Sequence, residues 1–156
     1  MKTLRHQIAS MRRDWPNFTV TDVRTDSAIW FGSLVGIELE YRLSIQFGLP
    51  DPSGLDDTLW RRFPVVRVLT PQLRPDWNAK DEAPLPHVYF ERPDISLSPL
   101  CLFDPRKREW SHDDLISKTT VPWAADWLAC YEGWLATGRW PGGGRHADAD
   151  TKRGDA

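Results

Sequence analysis

Hydrophobic residues near the start of the chain recur at the spacing of an α-helix. Leu4, Ile8 and Met11 stand among basic residues, and apolar side chains three or four positions apart share one face of a helix. Trp15 and Pro16 end this pattern, because a proline lacks the N–H that would continue a helix. The pattern therefore predicts a short amphipathic first helix with a basic outer face.

Three runs rich in β-branched and aromatic residues follow that helix. They cover residues 18–23, 28–37 and 40–47 and are separated by short polar stretches. Such residues are enriched in strands, and short connections favour antiparallel neighbours. With a loop over residues 48–57 and a fourth run over residues 63–69, they predict a four-stranded antiparallel meander.

The second half of the chain predicts a loop and then helices. Four prolines between residues 70 and 86 oppose regular hydrogen bonding, so an irregular extended loop is expected there. A short helix is predicted over residues 112–118 with Ser111 as its cap, and a longer one from Thr120 to a C-terminal cap at Gly138. This order predicts an α+β domain with an N-terminal helix, a meander sheet and C-terminal helices.

The longer helix carries an aromatic stripe on one face, which predicts deep burial. The stripe consists of Trp123, Trp127, Tyr131, Trp134 and Leu135. Cys130 lies in the middle of the same helix, and free cysteines are often small buried hydrophobes. We expect Cys130 to be a buried structural residue.

Length and charge limit the classes of function. With 156 residues, 40% of them hydrophobic, the chain supports one domain, which we place at residues 1–140. Apart from Pro141, residues 141–156 contain no apolar side chain larger than that of alanine. They are therefore expected to form a flexible tail. The net charge of −2 argues against nucleic-acid binding, so a protein partner is favoured.

Two cysteines without a CxxC pair predict neither a disulfide framework nor a zinc ribbon, and a reducing cytoplasm fits best. No run of about 18 apolar residues and no signal-peptide core occurs. We therefore expect no membrane association. No cofactor is expected either.

The segment from Leu85 to Trp110 carries the reactive side chains. Its prolines deny it long regular structure, so Cys101 is expected on a rigid loop where its thiolate is available for attack. His87 lies fourteen positions upstream. A cysteine that carries an acyl group as a thioester needs an open approach, because an amine must reach it later.

Several of these motifs together resemble the ubiquitin-conjugating (E2) enzymes. They are the strand ending in SIQFG, the FPVVRVL strand, the proline-rich loop, PHVYF with His87, LCLFDP with Cys101, and Trp110. More narrowly, LCLFDPRKREW and TTVPWAADWLACYEGWLATGRWPGGG look like the E2-like proteins of bacterial antiphage operons built around a cyclic-oligonucleotide synthase (CBASS). The resemblance covers residues 1–140 and implies a UBC-like (E2) fold.

The resemblance also implies roles for individual residues. Cys101 matches the active cysteine of the family, and His87 matches the His of its His-Pro-Asn motif. Val88 and Tyr89 follow His87 here, so the Asn of that motif is absent. Oxyanion stabilisation would then come from backbone N–H groups near Cys101, or from a side chain such as Tyr89 or Ser98.

By the same resemblance, Cys101 accepts the activated C-terminus of a protein partner and passes it to an amine, in bacterial antiviral defence. The implied partner is a cGAS-like nucleotidyltransferase. The sequence has no GxGxxG or Walker A motif for binding ATP. Activation is therefore assigned to a separate E1-like enzyme or to another source of the acyl donor.

Other interpretations remain open from the residues. The chain could be a non-catalytic E2-like binding module, or a cysteine hydrolase that uses Cys101 and His87 with an orienting group. His87 could equally hold its loop by hydrogen bonds. His112, beside two aspartates, is expected to be solvated in a first helical turn. Cys101, His87 and His112 fit no common zinc spacing.

Overall fold

The computed structural model describes residues 1–80 and 83–142. Its helices and strands are α1 Leu4–Asp14, β1 Thr19–Thr21, β2 Ser27–Val35, β3 Glu40–Gly48, α2 Leu59–Arg62, β4 Val65–Thr70 and α3 Thr120–Thr137. Two short 3₁₀ turns, Ile95–Leu97 and Pro105–Lys107, lie between β4 and α3. The predicted α+β class is confirmed, whereas most of the predicted tail, residues 143–156, lies outside the described residues.

The four strands form one antiparallel sheet in the order β1-β2-β3-β4. The predicted meander is confirmed, although β1 is shorter than expected and the sequence predicted no helix at α2. Side chains alternate between the two faces of a strand, and on β2 and β3 every second residue is buried. Trp30 and its partner Ile45 lie on this inner face, where burial of apolar surface stabilises the fold.

Helix α3 packs its aromatic stripe toward the core. Trp127, Tyr131 and Trp134 are buried, as predicted, and Trp123 is half-buried. Leu135 was predicted to be buried too, but it lies in the last helical turn and keeps 37% of its surface exposed. Among the described residues, no helix combines the length and the apolar character that crossing a bilayer requires.

Residues 112–113 and 116–119 form turns with a bend at Asp114 between them, so the predicted helix over 112–118 is wrong. The fully buried Gln7 of α1 explains the difference. Its Nε2 donates to the Asp114 carbonyl over 2.8 Å, and its Oε1 accepts from the Ile116 N–H over 2.9 Å. These contacts use backbone groups that a helix would pair internally.

His112 is packed between rings instead of being solvated as predicted. Its ring centroid lies 5.7 Å from that of Phe47 and 5.0 Å from that of Trp110. Burial is the largest influence on the side chain and lowers the pKa of His112. The residue therefore belongs to the packing of the domain.

Glu132 joins α3 to the turn between β2 and β3. Its carboxylate accepts hydrogen bonds from the N–H groups of Ile37, Glu38 and Leu39 at 2.8, 2.9 and 3.1 Å, which form a small anion-binding nest. Burial alone would raise the pKa of Glu132, but these hydrogen bonds outweigh it and lower the pKa. Gly36 keeps the space open, because a Cβ there would lie 2.6 Å from the Glu132 Oε1.

Replacing Glu132 by glutamine should lower the free energy of unfolding near pH 7 by about 1 kcal/mol, because the turn loses a charged acceptor. An ordinary glutamate has a pKa of 4.5 and the folded-state value is lower. The stabilisation is therefore present above pH 4.5 and is lost as the pH falls through the folded-state pKa. Urea denaturation of both proteins near neutral pH and at strongly acidic pH measures this difference.

The exposed Glu38 provides the matched control, since its side chain makes no hydrogen bond within the described residues. Glu38→Gln removes the same charge and should leave stability nearly unchanged. An equal loss in both variants, or a loss from Glu132→Gln that persists in acid, would contradict the assigned role of the turn.

Candidate active site

A short ladder joins Cys101 to the edge of the sheet. Val88 pairs with Leu100 in an antiparallel bridge, and the Leu100 N–H donates to the Val66 carbonyl of β4 over 2.9 Å. Strand β4 is at the edge of the sheet, where backbone groups need partners from outside it. The hydrogen bond to this edge fixes the position of Leu100, which directly precedes Cys101.

The backbone of His87 ties Cys101 to α3. Its carbonyl oxygen accepts a 2.8 Å hydrogen bond from the Cys101 N–H and a 2.9 Å bond from Nε1 of Trp127. His87 has a φ of +53°, a left-handed conformation uncommon for residues other than glycine. Such conformations persist only where the surroundings hold them, and here both hydrogen bonds do so.

Cys101 is half-buried and opens onto a pocket of about 300 Å³. Its Sγ lies 3.6 Å from the Phe103 carbonyl oxygen, to which the thiol donates. The other walls of the pocket include His87, Trp123, Asp126, Trp127, Cys130 and Trp140. The structure thus brings the two candidate residues Cys101 and His87 to the same pocket.

The chain reverses after α3 and returns to this pocket along residues 139–142, the return segment. Gly138 makes the reversal with a φ of +74°, which a glycine adopts without steric cost. The Trp140 ring then packs against those of His87 and Trp127, with centroid distances of 4.6 and 5.3 Å. The return segment therefore completes one wall of the pocket.

Cys130 is half-buried and lines the same pocket as Cys101, so the prediction of a buried structural cysteine is wrong. Cys130 lies at the edge of the aromatic stripe, one helical turn from Trp127 and Trp134, where it faces the pocket and is covered by Gly142. Burial, and next the charge of Asp126, raise the pKa of Cys130, although a hydrogen bond from the Gly142 backbone opposes this. A Cβ at Gly142 would lie 2.7 Å from the Cys130 Sγ.

Tyr89 and Ser98 were the side chains considered for the oxyanion. The Tyr89 hydroxyl is buried and makes no hydrogen bond of ordinary geometry within the described residues. Burial, and next the neighbouring Cys101 thiol, raise the pKa of Tyr89, so the hydroxyl keeps its proton at neutral pH. Ser98 is fully buried, and its Oγ accepts from the Glu91 N–H over 3.0 Å, which commits it to holding the loop.

Backbone N–H groups were the other source considered for the oxyanion. The N–H of Cys101 is already paired with His87. The N–H groups of Leu102 and Phe103 make no hydrogen bond within residues 1–80 and 83–142. These two donors and the Tyr89 hydroxyl remain available to a developing negative charge.

Sequence reasoning did not place Asp126, Cys130 or Trp140 at this pocket. Asp126 and Cys130 are four positions apart on α3 and share a face, which borders the aromatic stripe at Trp123 and Trp127. Trp140 follows the reversal at Gly138, and the sequence did not indicate where that reversal would lead. In the part of the chain that the structure describes, no group of three or more potential metal ligands occurs.

Iodoacetamide should alkylate Cys101 faster than Cys130 at neutral pH. Burial and the Asp126 charge raise the pKa of Cys130, which lowers its reactive thiolate fraction. Peptide mass spectrometry after short exposure to the reagent measures both rates. Equal rates, or faster labelling of Cys130, would show that the thiolate of Cys130 is not suppressed.

Gly142→Ala should displace the return segment, because the added Cβ would clash with the Cys130 Sγ at 2.7 Å. The alkylation rate of Cys130 should then rise several-fold. Gly54→Ala is the control for backbone strain alone, since Gly54 has a φ of +70° that strains an alanine, while a Cβ there meets no atom within 4 Å. If the two variants alkylate alike, the return segment does not cover Cys130.

Comparison with known protein families adds one finding. The model of the family described as Type II CBASS E2 protein matches residues 7–147. No curated protein matches the chain significantly. The matched range contains the whole sheet, the Cys101 loop and α3, so the similarity is not confined to the reactive segment.

Proposed function

The chain belongs to the Type II CBASS E2 protein family, whose role lies in antiphage defence, and from this premise we propose that Cys101 carries an acyl group as a thioester. The donor is the activated C-terminus of a protein partner, a cGAS-like nucleotidyltransferase, and the acceptor is an amine. The observation that carries the proposal is the position of Cys101: it is half-buried on a loop tied to both β4 and α3, and it opens onto a pocket.

The proposed reaction has two steps. The Cys101 thiolate attacks the activated carbonyl, so that a C–S bond forms and the activating group leaves. An amine then attacks the thioester, a C–N bond forms, and Cys101 departs as a thiolate. The proton lost by the amine passes to water or to a nearby base, and the product is an isopeptide or peptide bond.

Each step places negative charge on the carbonyl oxygen. The N–H groups of Leu102 and Phe103, which make no hydrogen bond within the described residues, and the hydroxyl of Tyr89, which neighbours the Cys101 thiol and makes no hydrogen bond of ordinary geometry there, are the donors proposed to stabilise it. Donors that are already oriented lower the barrier without reorganisation. In this proposal His87 is a positioning residue, since its carbonyl holds the Cys101 backbone.

We further propose that the domain has a UBC-like (E2) fold. An N-terminal helix, a four-strand meander, an irregular loop with the cysteine and a closing helix follow in the order expected of that fold. An E1-like enzyme would supply the activated donor, since the sequence has no ATP-binding motif of the kinds considered. The reaction is placed in the cytoplasm, where thiols stay reduced.

A cysteine hydrolase is a second candidate, because Cys101 and His87 line one pocket and such an enzyme needs both residues together. The two functions differ in the fate of the acyl group. A hydrolase releases it to water at once, whereas the proposed transferase holds the thioester until an amine arrives. A binding module without catalysis would form no adduct at all.

Cys101→Ala should abolish the covalent adduct with the partner, and Cys101→Ser should trap an oxyester that survives thiol reductant. Cys130→Ala is the matched control, because it removes the other thiol of the same pocket, and we expect it to keep the adduct. The measurement is co-expression with the neighbouring genes of its operon, followed by gels with and without reductant.

The wild-type adduct should collapse when thiol is added. Equal adduct yields in the Cys101→Ala and Cys130→Ala proteins would refute the assignment of Cys101. Free acid formed at the same rate with or without added amine would favour the hydrolase.

A further inference from the structure

Trp127 lies where α3 meets the reactive loop. Its Nε1 donates a 2.9 Å hydrogen bond to the carbonyl oxygen of His87, and the same oxygen accepts a 2.8 Å bond from the Cys101 N–H. A carbonyl oxygen has two lone pairs, so these two donors use its full capacity. The His87 carbonyl therefore couples the Trp127 ring to the Cys101 backbone.

The Trp127 ring is held firmly on its own side of this contact. It is buried and stacks on Tyr131, with a centroid distance of 5.5 Å and an interplanar angle of 13°. The Tyr131 hydroxyl accepts a 2.8 Å hydrogen bond from the Arg74 N–H, so the second ring is anchored too. Because close-packed side chains resist displacement, the Trp127 N–H is a donor with a fixed position.

The backbone on the other side of the contact depends on such support. His87 has a φ of +53°, a conformation that persists only where surrounding contacts hold it. Leu102 and Phe103, whose N–H groups are the proposed oxyanion donors, directly follow Cys101, and these N–H groups have no partner among the described residues. Their orientation therefore depends on how the Cys101 backbone is held.

We propose that the Trp127 indole N–H is a positioning group for acyl transfer: by fixing the His87 carbonyl, it orients the N–H groups of Leu102 and Phe103 toward the oxygen of the acyl group on Cys101. This inference rests on the proposed function and deepens it, because it identifies the side chain that aligns the oxyanion donors. Trp127 acts through His87 and not by touching the reacting atoms.

This role predicts a difference between two reactions of the same thiolate. With a peptide α-thioester, the Cys101 thiolate attacks the carbonyl carbon, a new C–S bond forms, and negative charge develops on the carbonyl oxygen. The old C–S bond then breaks, and the departing thiolate takes its electron pair. With iodoacetamide, the Cys101 thiolate displaces iodide and no oxyanion forms. Aligned N–H donors accelerate only the first reaction.

The test removes the N–H of Trp127 and keeps the ring. Trp127 is replaced by 3-benzothienylalanine, which has sulfur where indole has its N–H. Exchange of Cys101 with the peptide α-thioester should slow about tenfold, because misplaced donors stabilise the oxyanion less, whereas iodoacetamide should alkylate Cys101 at the wild-type rate. The same replacement at Trp110 is the matched control and should alter neither rate, since that buried indole N–H has no partner within the residues described.

The pH dependence of both reactions completes this comparison. Slower thioester exchange, with the alkylation rate and its pH profile unchanged, supports the positioning role. Equal slowing of both reactions would mean that Trp127 affects the access or ionisation of the thiol instead, and would overturn the inference. Unchanged thioester exchange would overturn it as well.

Amide hydrogen exchange tests the coupling without an acyl donor. The Cys101 N–H should exchange faster in the Trp127 variant than in the wild-type protein, because the carbonyl that it contacts is less constrained, and the Trp110 variant should match the wild type. If the Trp127 variant also matches the wild type, the inference is wrong. If exchange is faster but the wild-type protein takes up no acyl group, the coupling stands and the transferase proposal fails.

Discussion

The geometry of the site depends on the carbonyl oxygen of His87. It accepts one hydrogen bond from the Cys101 backbone and one from the Trp127 indole, so a single atom connects the reactive loop to α3. A buried carbonyl left without these donors would carry a desolvation penalty. The left-handed conformation of His87 aims the oxygen at both donors, while the N–H groups of Leu102 and Phe103 have no partner in the part of the chain that the structure describes.

Helix α3 contacts both the hydrophobic core and the Cys101 pocket. One face carries Leu128 and Tyr131 into the core against the sheet, while the other carries Asp126 and Cys130 to the pocket. The core face holds the helix rigidly, because close-packed apolar side chains resist displacement. The backbone positions of Asp126 and Cys130 are therefore fixed relative to the Cys101 loop.

Local patterns predicted the elements whose contacts are local. The spacing of Leu4, Ile8 and Met11 predicted α1, and alternation along β2 and β3 predicted the meander. Cys101 and His87 were selected through a family resemblance, and the structure brings them to one pocket.

The failures involve contacts between residues far apart in sequence. Gln7 reaches across to residues 114 and 116 and replaces the predicted helix with turns, which no pattern near residue 112 could indicate. Cys130 was assigned to the core because the return segment was not foreseen. A stripe of aromatic residues identifies the buried face of a helix, but it says nothing about a second chain segment that packs along the edge of that stripe.

The reversal at Gly138 has a practical consequence for handling the protein. Because the return segment brings Gly142 against Cys130 and Trp140 against His87, a shortened chain that ends at Gly138 would lack one wall of the pocket.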